Sequence, residues 1–235
     1  MIHAIKRSAK IIHHGYYNYL LISLALLFLM RPYNVSVGYN ALWKLLFTFA
    51  IVSATFNCKL KKTAKWTSVI LAIPTLLFSW SELIVPSEWL FATSVICIIL
   101  FLIATVSFIL SDVLLYAKVT TETLRGVVCV YFLIAFLFAY SYYLIEYFSP
   151  GSFHLIYRDA SFVTYSRDLS EMMYFSFVTL LTIGFGDVTP ILNIAQSAVV
   201  LEGIVGEFYV AILVARIVAV YSRVSVLHKA HKRKS

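Results

Sequence analysis

Residues 179–190 read Thr-Leu-Leu-Thr-Ile-Gly-Phe-Gly-Asp-Val-Thr-Pro and lie between a short apolar segment and a long one. In this stretch Gly184 and Gly186 alternate with Ile183 and Phe185. Because glycine adopts a positive φ at no steric cost, the alternation can turn successive main-chain carbonyls to one side. Carbonyl oxygens stacked along one line replace the water shell of a monovalent cation. The candidate ligands are the carbonyl oxygens of Thr182, Ile183, Gly184 and Phe185 and the hydroxyl oxygen of Thr182.

One chain supplies only one wall of such an ion-binding line. Four chains around a common axis enclose the cation, so this interpretation requires a homotetramer. The other interpretation of the stretch is a tight glycine turn that joins two helices.

The hexapeptide at 182–187, Thr-Ile-Gly-Phe-Gly-Asp, resembles the selectivity-filter signature of potassium channels. Residues 174–179 are similar to the pore helix of that family, and the resemblance extends over residues 126–222. It implies a potassium-selective channel with K⁺ as the permeant ion, no catalytic residue and no organic cofactor. It assigns ion binding to Thr182, Ile183, Gly184, Phe185 and Gly186, with K⁺ itself at the first four of these.

Phe185 departs from the family pattern, in which Tyr is commoner at this position. The carbonyl is unchanged and only the ring hydroxyl is lost. We therefore expect selectivity for potassium to survive, with a less rigid filter.

The composition excludes a soluble protein. Of 235 residues, 61% are hydrophobic and 13% are charged, whereas a soluble domain is about 45–50% apolar and about 25% charged. The excess predicts an all-α membrane protein and argues against a soluble enzyme. The net charge of +8 fits cytoplasmic loops and contact with anionic membrane lipid better than a nucleic-acid partner.

Six apolar stretches are predicted to cross the membrane, because a crossing helix needs about 20 apolar residues. A seventh stretch, 169–181, is too short and is predicted to be a re-entrant pore helix. The predicted spans are 16–30, 41–57, 66–85, 89–116, 126–148 and 194–222.

Basic residues predict the orientation of the chain. They crowd the links after the second and fourth spans and the end of the chain, which places both termini in the cytoplasm of a cell membrane. Residues 1–14 are predicted to be a cytoplasmic segment, either an interfacial helix or a solvated tail. The remaining predicted units are a four-helix, sensor-like domain at 15–120, a pore domain at 121–222 and a basic tail at 223–235, with no soluble regulatory domain.

Three residues are predicted to support the filter from outside it: Asp187, Tyr174 and Thr179. Asp187 has two interpretations, which are compatible. It could accept a hydrogen bond from Tyr174 and strap the filter to the pore helix, or add a carboxylate that concentrates cations at the outer mouth.

The last span contains two glycines and an acid of interest. By resemblance to the family, Gly206 is a hinge at which the inner helix bends; the alternative is that Gly203 and Gly206 make room for the pore helix. The same resemblance places Glu207 near the family's water-filled cavity, where it would attract cations or blockers such as Mg²⁺ and polyamines. Its alternative is a protonated or hydrogen-bonded Glu packed against another helix. Glu202 and Arg216 are further charges in this span, where charges are costly and usually functional.

Voltage sensing through the fourth span is not expected. Residues 89–116 contain no Arg or Lys, and Asp112 is their only charge. A sensor helix needs movable charges, each worth about 2.3 kcal/mol per 100 mV. The first four spans are therefore predicted to bind lipid, a small molecule or a partner, or to brace the pore.

Three other functions stay open at this point. The chain could be a weakly selective monovalent cation channel, the membrane subunit of a potassium uptake transporter, or a non-conducting membrane receptor or scaffold. A single filter segment disfavours the transporter, whose chains carry several.

Overall fold

The computed structural model describes residues 16–30, 37–57, 62–82, 84, 87–115, 121–155 and 165–232. The predicted N-terminal segment at 1–14, most of the basic residues that predict orientation, and the side chain of Arg216 lie outside this part. Within it, seven helices and one two-stranded sheet follow in the order α1 (Tyr16–Leu29), α2 (Val37–Asn57), α3 (Lys62–Ser81), α4 (Glu88–Leu115), α5 (Thr121–Phe148), β1 (Phe153–Leu155), α6 (Tyr165–Leu180), β2 (Val188–Pro190) and α7 (Asn193–Lys232).

Three of the described helices are long and apolar enough to cross a membrane. They are α4, α5 and α7, over Trp89–Val113, Glu122–Phe148 and Asn193–Leu213. Helices α1 and α2 contain shorter apolar stretches, Tyr17–Leu29 and Ala41–Phe56. The chain is a helical membrane protein, and the crossing of the membrane by α1, α2 and α3 stays a prediction.

Helix α7 is longer than the sequence predicts. The predicted span ends at residue 222 and a separate basic tail follows, whereas the helix continues to Lys232. No Gly or Pro lies between Gly206 and Lys232, and residues such as Lys, Arg, Leu and Ala favour the helical state. Most of the predicted tail is therefore a continuation of α7.

Helix α5 is the centre of the packing. It contacts α1, α4, α6 and α7, and its inward side is lined by fully buried residues such as Cys129, Ala135 and Tyr142. This arrangement places the predicted pore helix α6 between α5 and α7.

An aromatic cluster fixes α6 to helices that precede it in the chain. The ring of Phe177 on α6 lies 4.3 Å from that of Phe28 on α1, and 5.5 and 5.8 Å from those of Phe132 and Phe136 on α5. Such ring pairs contribute about 0.5–1.5 kcal/mol each beyond their buried area. Helix α1 thus contacts the predicted pore helix within one chain.

Polar contacts join the first four helices to one another. Lys44 on α2 forms an ion pair with Glu82 at 3.0 Å, just after α3, and Ser94 on α4 hydrogen-bonds the same carboxylate. Tyr17 on α1 donates to Asp112 Oδ2 at 2.9 Å. The one acid in the predicted fourth span is therefore held to α1.

A short antiparallel ladder joins residues on the two sides of α6 in the sequence. Strand β1 pairs with β2, with Phe153 opposite Pro190 and Leu155 opposite Val188. The sequence did not predict this sheet, because strands of three residues are too short to show an alternating pattern.

The carboxylate of Glu146 braces the turn that leads into β1. It accepts hydrogen bonds from the amides of Gly151 at 2.9 Å and Phe153 at 3.0 Å. Glu146 is buried, so these two amides depend on it in place of water.

We expect Glu146→Gln to lower the free energy of unfolding by about 1–3 kcal/mol. The amide side chain keeps one acceptor oxygen, so either the part-buried amide of Gly151 or the buried amide of Phe153 loses its partner. Thermal unfolding of the purified protein in detergent measures the change.

The matched control is Glu122→Gln on the same helix. Glu122 makes a part-exposed ion pair with Arg125 at 2.6 Å, and such pairs contribute about 0–1 kcal/mol. An equal loss of stability in both variants would contradict the role assigned to Glu146.

Candidate ion-binding site

The stretch from Thr182 to Gly186 has an alternating backbone. The φ angles of Thr182, Gly184 and Gly186 are 57°, 60° and 79°, whereas Ile183 and Phe185 between them do not have positive φ. Alternation of this kind turns the intervening peptide planes the same way, so successive carbonyls can face one side. Gly184 and Gly186 thus have the positive φ that the sequence predicts for them.

The carbonyls of this stretch are free to take a ligand. Among the residues that the structure describes, no donor forms a hydrogen bond with the carbonyl oxygens of Thr182, Ile183, Gly184 or Phe185. All residues from 181 to 186 are exposed in the single chain, and Phe185 has 68% of its surface accessible. These four consecutive carbonyls are therefore unpaired acceptors next to α6.

The N-terminal end of the stretch follows directly after the C-terminus of α6. The amide of Thr182 donates to the carbonyl of Thr179, and the amide of Ile183 to that of Val178, both at 2.9 Å. This pair of hydrogen bonds is a Schellman cap, in which the residue after the helix takes a left-handed conformation. Thr182 occupies the position that glycine usually fills, which explains its positive φ.

A third contact holds the end of α6. The hydroxyl of Tyr131 on α5 donates to the carbonyl of Leu180 at 2.9 Å. The sequence analysis did not identify Tyr131, since a lone Tyr in an apolar helix carries no local signal.

The C-terminal end of the stretch is held through Asp187. Tyr174 Oη donates to Asp187 Oδ2 at 2.7 Å, and the amide of Val188 donates to Oδ1 at 3.1 Å. The hydrogen bond expected of a strap between filter and pore helix is therefore present. Strand β2 begins at the next residue, so the ladder continues the same attachment.

The two glycines of α7 have different surroundings. A Cβ atom on Gly206 would lie 2.8 Å from Leu180 Cδ1, whereas one on Gly203 would meet nothing within 4 Å. Gly206 thus allows the close approach of α7 to the end of α6, and Gly203 does not contact α6. Helix α7 is continuous through both positions.

The two acids of α7 also differ. Glu207 is exposed, and no described group hydrogen-bonds it. Within this chain, no hydrogen bond therefore supports the alternative in which Glu207 packs against another helix. Glu202 is fully buried and contacts Tyr142 on α5 and Ser176 on α6. The sequence marks Glu202 as a charge in an apolar run but gives no indication of these two partners.

Most of the membrane-spanning part of α7 is not covered by its own chain. In the most apolar stretch of α7, 17% is buried within the chain, against 56% in the corresponding stretch of α5. Large apolar side chains on this helix are exposed, among them Val200, Leu201, Ile204, Phe208 and Ile212. The surface beside the candidate site is therefore available to lipid or to other subunits.

In the described ranges, no group of three or more His, Cys, Asp or Glu side chains could hold a metal ion.

Residues 126–223 match a protein-family model described as "Ion channel". Comparison with curated proteins and with solved structures gave no match. The matched segment begins in α5 and ends in α7, so it contains α6 and the whole candidate site. The match supports an ion channel function for this segment, and residues 1–125 lie outside it.

We expect Gly206→Ala to give a protein less stable than Gly203→Ala, by about 1 kcal/mol or more. Both changes stabilise the helix by up to about 1 kcal/mol, because Ala has a higher helix propensity than Gly. At position 206, however, the buried Leu180 must move. Such forced repacking costs about 1–3 kcal/mol. Thermal unfolding of both variants and the parent measures the difference. A loss at Gly203→Ala as large as at Gly206→Ala would contradict this assignment of contacts.

Proposed function

We propose that the chain is one subunit of a homotetrameric channel that conducts K⁺ selectively and passively across a cell membrane. The match to ion channels supports the class of function. The identity of the ion and the number of subunits are inferred from the geometry of residues 182–186.

The observation that carries the proposal is the alternating φ beside unpaired carbonyls. An unpaired carbonyl costs several kcal/mol in hydrocarbon, so this stretch cannot face lipid. A dehydrated monovalent cation is a ligand that a line of such oxygens suits. We therefore assign K⁺ binding to Thr182, Ile183, Gly184 and Phe185, with Gly186 completing the backbone turn.

The single chain leaves one side of this stretch open, which supports assembly. One wall contacts a cation from one direction, whereas four equivalent walls surround it. The uncovered apolar surface of α7 beside the site is of the kind that subunits bury against one another. A homotetramer satisfies both features with one symmetry axis.

Two further features favour a cation on the inner side of the filter. Helix α6 ends at Leu180, immediately before the filter, so the partial negative charge of its C-terminus lies at the inner end of the ion path. Glu207 is exposed on α7, the proposed inner helix, where four copies would attract cations or a cationic blocker from the cytoplasm.

Helices α1 to α4 are proposed to brace the pore without sensing voltage. Helix α4 contains no Lys or Arg, and the contact of Phe28 with Phe177 connects this part of the chain to α6. In this arrangement six helices cross the membrane and both termini are cytoplasmic. Gly206 is proposed as the point at which α7 bends when the pore opens.

A weakly selective cation channel is the second candidate, and Phe185 is the observation that favours it. Its ring lacks the hydroxyl usual in potassium channels, is 68% exposed, and makes no ring contact with the described aromatic residues. Without a hydrogen bond from such a hydroxyl, the filter holds its carbonyls less rigidly and discriminates less between K⁺ and Na⁺.

We expect Gly184→Ala to abolish K⁺-selective current. A Cβ there meets no atom within 4 Å of its own chain, so the cost comes from φ of +60°, which disfavours alanine by about 1–2 kcal/mol and turns the adjacent carbonyls. Reversal potentials under bi-ionic K⁺ and Na⁺ conditions, recorded from purified protein in planar bilayers, measure selectivity.

Gly151→Ala is the matched control. Gly151 also has a positive φ, +85°, and nothing within 4 Å of its Cβ position, but it lies in the turn before β1. The backbone strain is therefore similar, and selective current should persist. Unchanged K⁺ preference in Gly184→Ala would reject the filter assignment, and a low preference in the parent would favour the second candidate.

A further inference from the structure

Glu202 is a buried carboxyl group at the point where α5, α6 and α7 meet. Its exposed fraction is 0%, within the apolar stretch Asn193–Leu213. Tyr142 Oη on α5 donates to Glu202 Oε2 at 2.5 Å, and the Ser176 hydroxyl on α6 makes a hydrogen-bond contact with Oε1. In the described part of the chain, no Lys, Arg or His forms an ion pair with this carboxyl.

The contacts around Glu202 require one proton more than the two hydroxyl groups supply. Ser176 Oγ lies 2.7 Å from the carbonyl oxygen of Ala135 as well as in contact with Glu202. A serine hydroxyl has a single hydrogen. If that hydrogen goes to Ala135, the contact with a carboxylate has none. If it goes to Glu202, two oxygen atoms face each other at Ala135 without a proton between them.

We propose that Glu202 is a neutral carboxylic acid that donates to Ser176, accepts from Tyr142, and so positions the pore helix α6 against α5 and α7. Each of the three oxygen pairs then contains one proton, with Ser176 donating onward to Ala135. A carboxylate at the same place is an unpaired charge in an apolar interior, which is far more costly than a neutral hydrogen-bonded acid.

The position of Glu202 connects the inner helix with the filter. Ser176 lies on α6 shortly before Thr182, and one turn further along both helices Gly206 contacts Leu180. The two contacts follow each other along the α6–α7 junction. A bend or rotation of α7 therefore changes the hydrogen bond to α6 directly, and Glu202 acts as a positioning residue. This role rests on the proposed function, because it affects conduction only where α6 supports an ion filter.

The protonation is tested without ion flow. Infrared spectra of purified protein in lipid at neutral pH are compared for the parent, Glu202→Gln and Glu207→Gln, whose carboxyl is exposed. We expect the C=O stretching band of a protonated carboxylic acid in the parent and in Glu207→Gln, and its loss in Glu202→Gln. A parent without the band, or a band that survives in Glu202→Gln, overturns the proposal.

The positioning role is tested with variants that separate charge from hydrogen bonding. Glu202→Gln keeps an acceptor for Tyr142 and a donor for Ser176, whereas Glu202→Leu keeps neither. We expect a K⁺/Na⁺ permeability ratio near that of the parent in Glu202→Gln. In Glu202→Leu and in Ser176→Ala the ratio should fall severalfold below that of the parent, because the contact that positions α6 is lost.

Each outcome of this second test decides the role. Equal ratios in all variants, or loss of selectivity in Glu202→Gln, overturn it. Should Glu202→Leu fail to fold, Ser176→Ala decides alone. A parent that conducts no ions rejects the proposed function and with it the positioning role, while the infrared result still decides the protonation of Glu202.

Discussion

A main-chain carbonyl without a hydrogen bond has no stable position in hydrocarbon, because lipid offers it no donor. The chain contains consecutive carbonyls of this kind from Thr182 to Phe185, within the segment that matches ion channels. Water, a cation or another protein surface must cover them. That requirement fits a short helix, α6, that lies between two long ones, and an apolar surface on α7 that its own chain leaves uncovered.

The two ends of this stretch are held by different means. At the N-terminal end, the cap on α6 fixes Thr182 in a left-handed conformation that costs a β-branched residue about 1–2 kcal/mol, and two main-chain hydrogen bonds offset the cost. At the C-terminal end, Tyr174 and the adjoining ladder hold Asp187 and the residues after it. Neither attachment uses the carbonyls of residues 182–185, which therefore stay unpaired.

The sequence predicts the features that depend on local pattern. Long apolar runs locate α4 and α5 to within a few residues, and glycine chemistry anticipates the positive φ of Gly184 and Gly186. Features that depend on distant partners were not predicted. Glu202 meets Tyr142 and Ser176, which lie 60 and 26 residues away, and no periodicity connects them. The ladder between β1 and β2 was also not predicted, because each short strand is recognisable only by its pairing with the other.

The ladder between β1 and β2 joins the two ends of residues 153–190 into a closed loop. Bringing together the ends of a flexible loop of this length costs about 3 kcal/mol of chain entropy plus a constant. Because each chain forms the closure by itself, that entropy is lost on folding and not when chains meet. In the proposed homotetramer, association would then join chains whose loop is already closed, which reduces the ordering that binding must otherwise impose.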